Sequence, residues 1–69
     1  MRLSIRNQLA GTVININTDN IMAVVKVALD GGQEVTAAIT KEAVENLGLQ
    51  VGQHVVALIK STEVMLGVE

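Results

Sequence analysis

The sequence predicts a mainly β fold, a five-stranded OB-like barrel with one short helix between strands 3 and 4, and three observations support this. Five short runs alternate apolar with other side chains at the period of a strand. Clusters rich in Gly, Asn, Asp and Gln separate several of these runs. One stretch after the third run instead carries apolar residues at helical spacing, with a threonine before it and a glycine after it.

In chain order, the first strand is expected from Leu3 to Ile16, with Gly11 marking a bulge or sharp bend. Asn17-Thr18-Asp19-Asn20 reads as a turn, since these side chains bond their own backbone. Ile21 to Asp30 is the second strand, with Ala23, Val25, Val27 and Leu29 on one face and Met22, Val24, Lys26 and Ala28 on the other. Asp30-Gly31-Gly32 supplies a hairpin turn, and Gln33 to Ile39 returns with Val35, Ala37 and Ile39 on one face. Thr40 is placed to cap a helix over Lys41 to Leu47, whose stripe is Ala43, Val44 and Leu47. Gly48 stops it and Leu49 folds back against it. After a turn at Val51-Gly52-Gln53, the fourth strand runs from His54 to Lys60. Ser61-Thr62 then makes a tight connection into a fifth strand, Glu63 to Val68. The whole chain reads as a single domain, 1–69.

Strands 2 and 4 are apolar on both faces, which a chain of 69 residues cannot cover by itself. So short a chain buries only about 60% of its unfolded surface. Cysteine, Phe, Tyr and Trp are absent, so disulfides and large aromatic anchors are not available to compensate. A homo-oligomer follows as the expected route to stability. The net charge of −2, with no aromatic side chain, argues against a nucleic-acid partner, which takes a basic groove and stacking platforms. No apolar run of membrane-spanning length and no signal-peptide core is present, so no membrane partner and a cytoplasmic location are expected. His54 has no neighbouring serine or carboxylate, and no catalytic or metal-ligand set is visible, so the chain is not expected to be an enzyme.

Two distant segments suggest an anion site. Ser4 and Arg6 share one face if the chain is extended there, and Lys60 lies next to Ser61, where both can serve one ligand only if a bend lies between them or Ser61 contributes its backbone N–H. Thr40 stands where the helix begins. Cations and hydroxyls together suit an oxyanion. Each residue also has a structural reading: Arg6 and Lys60 as solvated charges near Glu63 or Glu42, and Ser4, Thr40 and Ser61 as turn or cap residues.

The wording of the two segments tips the balance. Ser4-Ile5-Arg6-Asn7-Gln8-Leu9-Ala10-Gly11-Thr12-Val13 and Ile59-Lys60-Ser61-Thr62-Glu63-Val64-Met65 resemble the paired motifs SxRNQLxGxV and IKSTxVM of the Mop domain, the molybdate-binding unit of the small molbindins. The resemblance implies an OB-like barrel that binds molybdate, with tungstate as analogue, at subunit interfaces of a hexamer built as a trimer of dimers. It implies Ser4, Arg6, Thr40, Lys60 and Ser61 as ligands. Ile5 stands where a smaller residue, often alanine, is common. The implied task is storage or buffering of the oxyanion in the cytoplasm. The rival is a Mop-like interaction or regulatory module that docks to another protein in molybdate transport or regulation.

Overall fold

The computed structural model describes residues 1–69. Its elements are β1 (Asn7–Thr18), β2 (Met22–Leu29), β3 (Glu34–Thr40), α1 (Lys41–Leu47), β4 (His54–Ile59) and a single 3-10 turn, Ser61–Glu63. The strands form one curled antiparallel sheet in the order β3-β2-β1-β4. The mainly β architecture and the placement of the helix match expectation.

β1 is the hub. Its first half pairs with β4, from Asn7 opposite Ile59 to Thr12 opposite His54. Its second half pairs with β2, from Gly11 opposite Leu29 to Thr18 opposite Ala23. The two ladders overlap at Gly11 and Thr12, where β1 is bonded along both edges. Gly11 is buried, and a Cβ placed there would lie 2.6 Å from the Ala28 carbonyl oxygen and 2.7 Å from Val27 Cγ1. Its role is close backbone approach, and the expected bulge lies elsewhere. The register instead shifts at Ile14, since Val13 faces Val27 while Asn15 faces Lys26.

β1 also differs from expectation at both ends. It starts at Asn7, because bends at Ser4 and Arg6 take the chain out of extended conformation. It runs on to Thr18, because the turn is tightened around Asp19. One carboxylate oxygen of Asp19 accepts from the backbone N–H groups of Ile21 (2.8 Å) and Met22 (2.7 Å). The β2–β3 hairpin turns as expected, with Gly32 at φ +98°. Gly48 ends α1 at φ +63°, and the Leu49 N–H returns to the Val44 carbonyl at 3.1 Å. Val44 and Leu49 pack on the core, whereas Leu47 of the expected stripe stays exposed.

The fifth strand is absent. After the 3-10 turn Val64 is extended, and no strand pairing engages Val64–Glu69. Alternation at Val64, Leu66 and Val68 signals burial, yet Leu66 and Val68 are each 93% exposed. The physical reason is that a strand forms only against a partner edge, and after the 3-10 turn this segment meets none within its own chain. The barrel is correspondingly open. A cavity of about 740 Å³ lies between β3 and β4, lined by Val35, Ile39, Val55, Ala57 and Ile59 among others. Only Gly11, Val13, Ala23, Val25 and Val27 are buried, all small or aliphatic. The second faces foreseen on β2 and β4 are exposed, with Val24, Val56 and Leu58 each at 41%.

Two outcomes follow. Gly11→Ala forces its methyl into the Ala28 backbone and should cost about 1–3 kcal/mol of stability, read as a lower urea midpoint at unchanged slope. Backbone N–H groups of Met22 and Ile21 hold the Asp19 carboxyl below its ordinary value of 3.8. A depressed carboxylate contributes stability that is complete above the unfolded value and is lost as pH falls through the folded one. Asp19→Asn keeps an acceptor but does not titrate. The advantage of the natural protein over that variant should therefore shrink below about pH 3.8, and parallel melting curves down to pH 3 would remove the carboxylate from this role.

Candidate functional site

The β1–β4 ladder closes with Asn7 opposite Ile59, so Arg6 and Lys60 are the next residues on the two strands at the same end of the sheet. Ser4 and Ser61 flank them. Four of the five expected ligand residues therefore meet at one place, although their segments are far apart in the chain.

Two amides hold this end together. Asn7 Nδ2 donates to the Ile59 carbonyl at 3.1 Å, tying the start of β1 to the residue before Lys60. Gln8 Nε2 donates back to the Ile5 carbonyl at 2.7 Å, fixing the bend that carries Ser4 and Arg6. Sequence reasoning gave neither amide a role. The Asn7 contact spans 52 residues, which no local pattern reveals. Because Ser4 and Arg6 sit on a bend, the expectation that an extended strand aligns them on one face does not apply.

On the other side, Lys60 leaves β4 with φ −59° and ψ 132°, and Ser61 opens the 3-10 turn. The Glu63 N–H donates to the Lys60 carbonyl at 2.9 Å, closing that turn. The chain thus bends directly after Lys60, where a bend is expected if both side chains are to serve one ligand. The side chains of Ser4, Arg6, Lys60 and Ser61 are exposed and enter none of the chain's side-chain hydrogen bonds. Two cations and two hydroxyls thus stand unengaged, with amide-braced backbone behind them.

Thr40 lies elsewhere. It pairs with Met22, at the end of the sheet where β1 finishes, so the length of β1 separates it from Arg6 and Lys60. Its Oγ1 accepts from the Ala43 N–H at 3.0 Å, capping α1. A hydroxyl that accepts still has a hydrogen to donate, so the cap does not exclude a ligand contact. The surface depression at Thr40 is bordered by Asn20, Ile21, Lys41, Glu42 and Glu45. His54 is exposed on β4, with Nδ1 3.5 Å from Thr12 Oγ1, and no group of His, Asp and Glu gathers to hold a metal ion. No helix is long and apolar enough to cross a membrane.

Comparison with known proteins places this geometry in a family. Residues 3–66 match the TOBE domain. A probable molybdenum-pterin-binding protein of Haemophilus influenzae is 41% identical over 69 residues, covering 100% of both chains. MopII of Clostridium pasteurianum superposes with a TM-score of 0.92 at 36% identity, covering 97% of this chain and 100% of its own. The cytoplasmic molybdate-binding protein ModG, solved with molybdate bound, has a TM-score of 0.94 at 51% identity, covering 100% of this chain and 49% of ModG. The chain belongs to the TOBE domain family, in its Mop branch.

Proposed function

We propose that this chain binds molybdate, with tungstate as an analogue, and that it stores or buffers the oxyanion in the cytoplasm rather than transforming it. The observation that carries this reading is the meeting of Ser4, Arg6, Lys60 and Ser61 at the closed end of the β1–β4 ladder, with their donors free. A doubly charged oxyanion takes charge-assisted hydrogen bonds from such a set. The names of the relatives agree: a molybdenum-pterin-binding protein spans the same full length, and ModG holds molybdate.

The complete site belongs to a homo-oligomer, which the resemblance puts at a hexamer, a trimer of dimers. Exposed donors in one chain remain in competition with water, and cover by a neighbouring copy removes it. The open edges of β3 and β4, the outer apolar face and the apolar Val64–Val68 segment are what such an assembly would cover. Thr40 joins the ligand set only if another copy brings it, since its own chain holds it at the far end of β1. A second reading has one observation behind it. This unit also makes up 49% of the longer ModG chain, so it can serve as a module within or against another protein.

The decisive experiment is a calorimetric titration of protein of measured oligomeric mass with molybdate, with and without excess sulfate. Saturable heat that survives sulfate, at a fixed fraction of an ion per chain, is expected. Absence of heat, or heat abolished by sulfate, would leave the module reading in place. Arg6→Ala and Lys60→Ala should each weaken molybdate about 10- to 100-fold, the equivalent of one charge-assisted hydrogen bond, with the oligomer intact. Asn7→Ala should lower stability by about 1 kcal/mol and also weaken binding, because it releases Ile59 and with it Lys60. Unchanged affinity in Asn7→Ala would separate the brace from the site.

A further inference from the structure

The segment Met1–Arg6 carries Ser4 and Arg6, half of the clustered ligand-type residues, yet it lies outside every strand. It forms no backbone–backbone hydrogen bond, and none of its side chains enters one. The one hydrogen bond that reaches it is the 2.7 Å bond from Gln8 Nε2 to the Ile5 carbonyl. Ile5 is also the only residue of the segment that is half-buried, the others being exposed. Beyond its covalent link to Asn7, the segment is thus held chiefly at Ile5, by partial burial of the side chain and by the Gln8 amide on the carbonyl.

The opposite half of the site is fixed differently. Lys60 continues directly from β4, Ser61 opens a turn that the Glu63 N–H closes on the Lys60 carbonyl at 2.9 Å, and Asn7 Nδ2 holds the Ile59 carbonyl at 3.1 Å. Successive residues of a strand project to opposite faces, so Gln8 is turned away from Asn7 and reaches back along its own chain. Lys60 and Ser61 keep their place through the sheet and a closed turn. Ser4 and Arg6 keep theirs through a single side-chain bond. One neutral hydrogen bond shifts an equilibrium by about 2- to 10-fold, enough to hold a short segment and too little for the sheet to depend on it.

Ser4 and Arg6 flank Ile5, so a pinned Ile5 carbonyl fixes where both side chains start relative to Lys60 and Ser61. We propose, resting on the reading that this end of the sheet binds an oxyanion, that Gln8 is a positioning residue that sets the width between the Ser4–Arg6 half and the Lys60–Ser61 half, and with it the size of oxyanion accepted. Gln8 acts on the ligand only through Ile5. With the bond in place, the two halves do not close on an anion smaller than molybdate, such as sulfate. Without it, the Ser4–Arg6 half closes on sulfate and recovers donor contacts there. Molybdate, which spans the fixed halves already, gains no contact and incurs the entropy of ordering the segment.

The test is calorimetric titration of the natural oligomer, Gln8→Met and Gln8→Ala with molybdate, tungstate and sulfate in turn. Gln8→Met keeps the length of the side chain and its lack of charge while removing the donor. Both variants should weaken molybdate and tungstate together by about 2- to 10-fold, leave sulfate unchanged or tighter, and so lower the molybdate-to-sulfate preference by a similar factor. Arg6→Ala is the control, because loss of charge weakens all three anions alike and leaves the preference where it was. Gln8 variants that behave as Arg6→Ala does, that bind all three anions as the natural protein does, or that no longer assemble would overturn the proposal. A natural oligomer that takes up no molybdate would overturn the underlying reading and this proposal with it, whereas an unchanged preference in the variants would overturn the proposal alone.

Discussion

The structure depends on the double pairing of β1 at Gly11 and Thr12. Every other strand has at most one fully bonded stretch against β1, and only there do the two ladders overlap. A side chain at Gly11 would strike the backbone of Ala28, so the sheet can close up at that point only because none is present. From this pinch the two halves of β1 diverge, one toward β4 and one toward β2, and the sheet curls. The same divergence carries the start of β1 to the end of β4. Arg6 and Lys60 are neighbours for that reason.

Curling without closing leaves much apolar surface of the single chain uncovered. Burial of a Val, Leu or Ile side chain is worth about 1.5–3 kcal/mol, and the chain leaves many of these gains unrealised: Leu66, Val68, Val24, Val56 and Leu58 all keep substantial exposure. β3 and β4 present free edges on either side of an apolar cavity. Association of copies would recover this stabilisation and withdraw water from the donors at the β1–β4 end at the same time. In that arrangement ligand affinity and assembly are linked, because an anion held between copies stabilises the assembled state by mass action.

Local chemistry was legible in the sequence. The Thr40 cap, the Gly48 stop, the Gly32 turn and the inward face of β2 all rest on contacts within a few residues or on strict alternation. What escaped depends on pairing partners. The bulge belongs to Ile14 and not to Gly11, and only the register opposite Val27 and Lys26 reveals it, since Val13-Ile14-Asn15-Ile16 reads as strand in either phase. Alternation at Val64, Leu66 and Val68 predicts a fifth strand, but it reports a tendency to burial and not the edge that would satisfy it. Within the candidate site the ligand-type residues could be named from chemistry and resemblance. The Asn7 and Gln8 braces could not, because an amide becomes a brace only when a distant carbonyl arrives beside it.

If the proposed site discriminates between oxyanions, it does so through those braces rather than through charge. Molybdate and sulfate carry the same charge and the same tetrahedral disposition of acceptors, so the Coulomb attraction of Arg6 and Lys60 distinguishes them little. The net charge of −2 on the chain is likewise indifferent to which anion approaches, and its reach is screened beyond about 8–10 Å at physiological ionic strength. Discrimination by size requires donors whose separation resists collapse around the smaller ion. Flexible lysine and arginine stems cannot supply this alone. The backbone behind them can: Ile59 is tied by Asn7, the bend at Ile5 is tied by Gln8, and Ser61 is set by a closed 3-10 turn. Under the proposed function, donors carried by three such fixed points would keep their separation when a smaller anion enters, and would leave some of that anion's oxygens without partners.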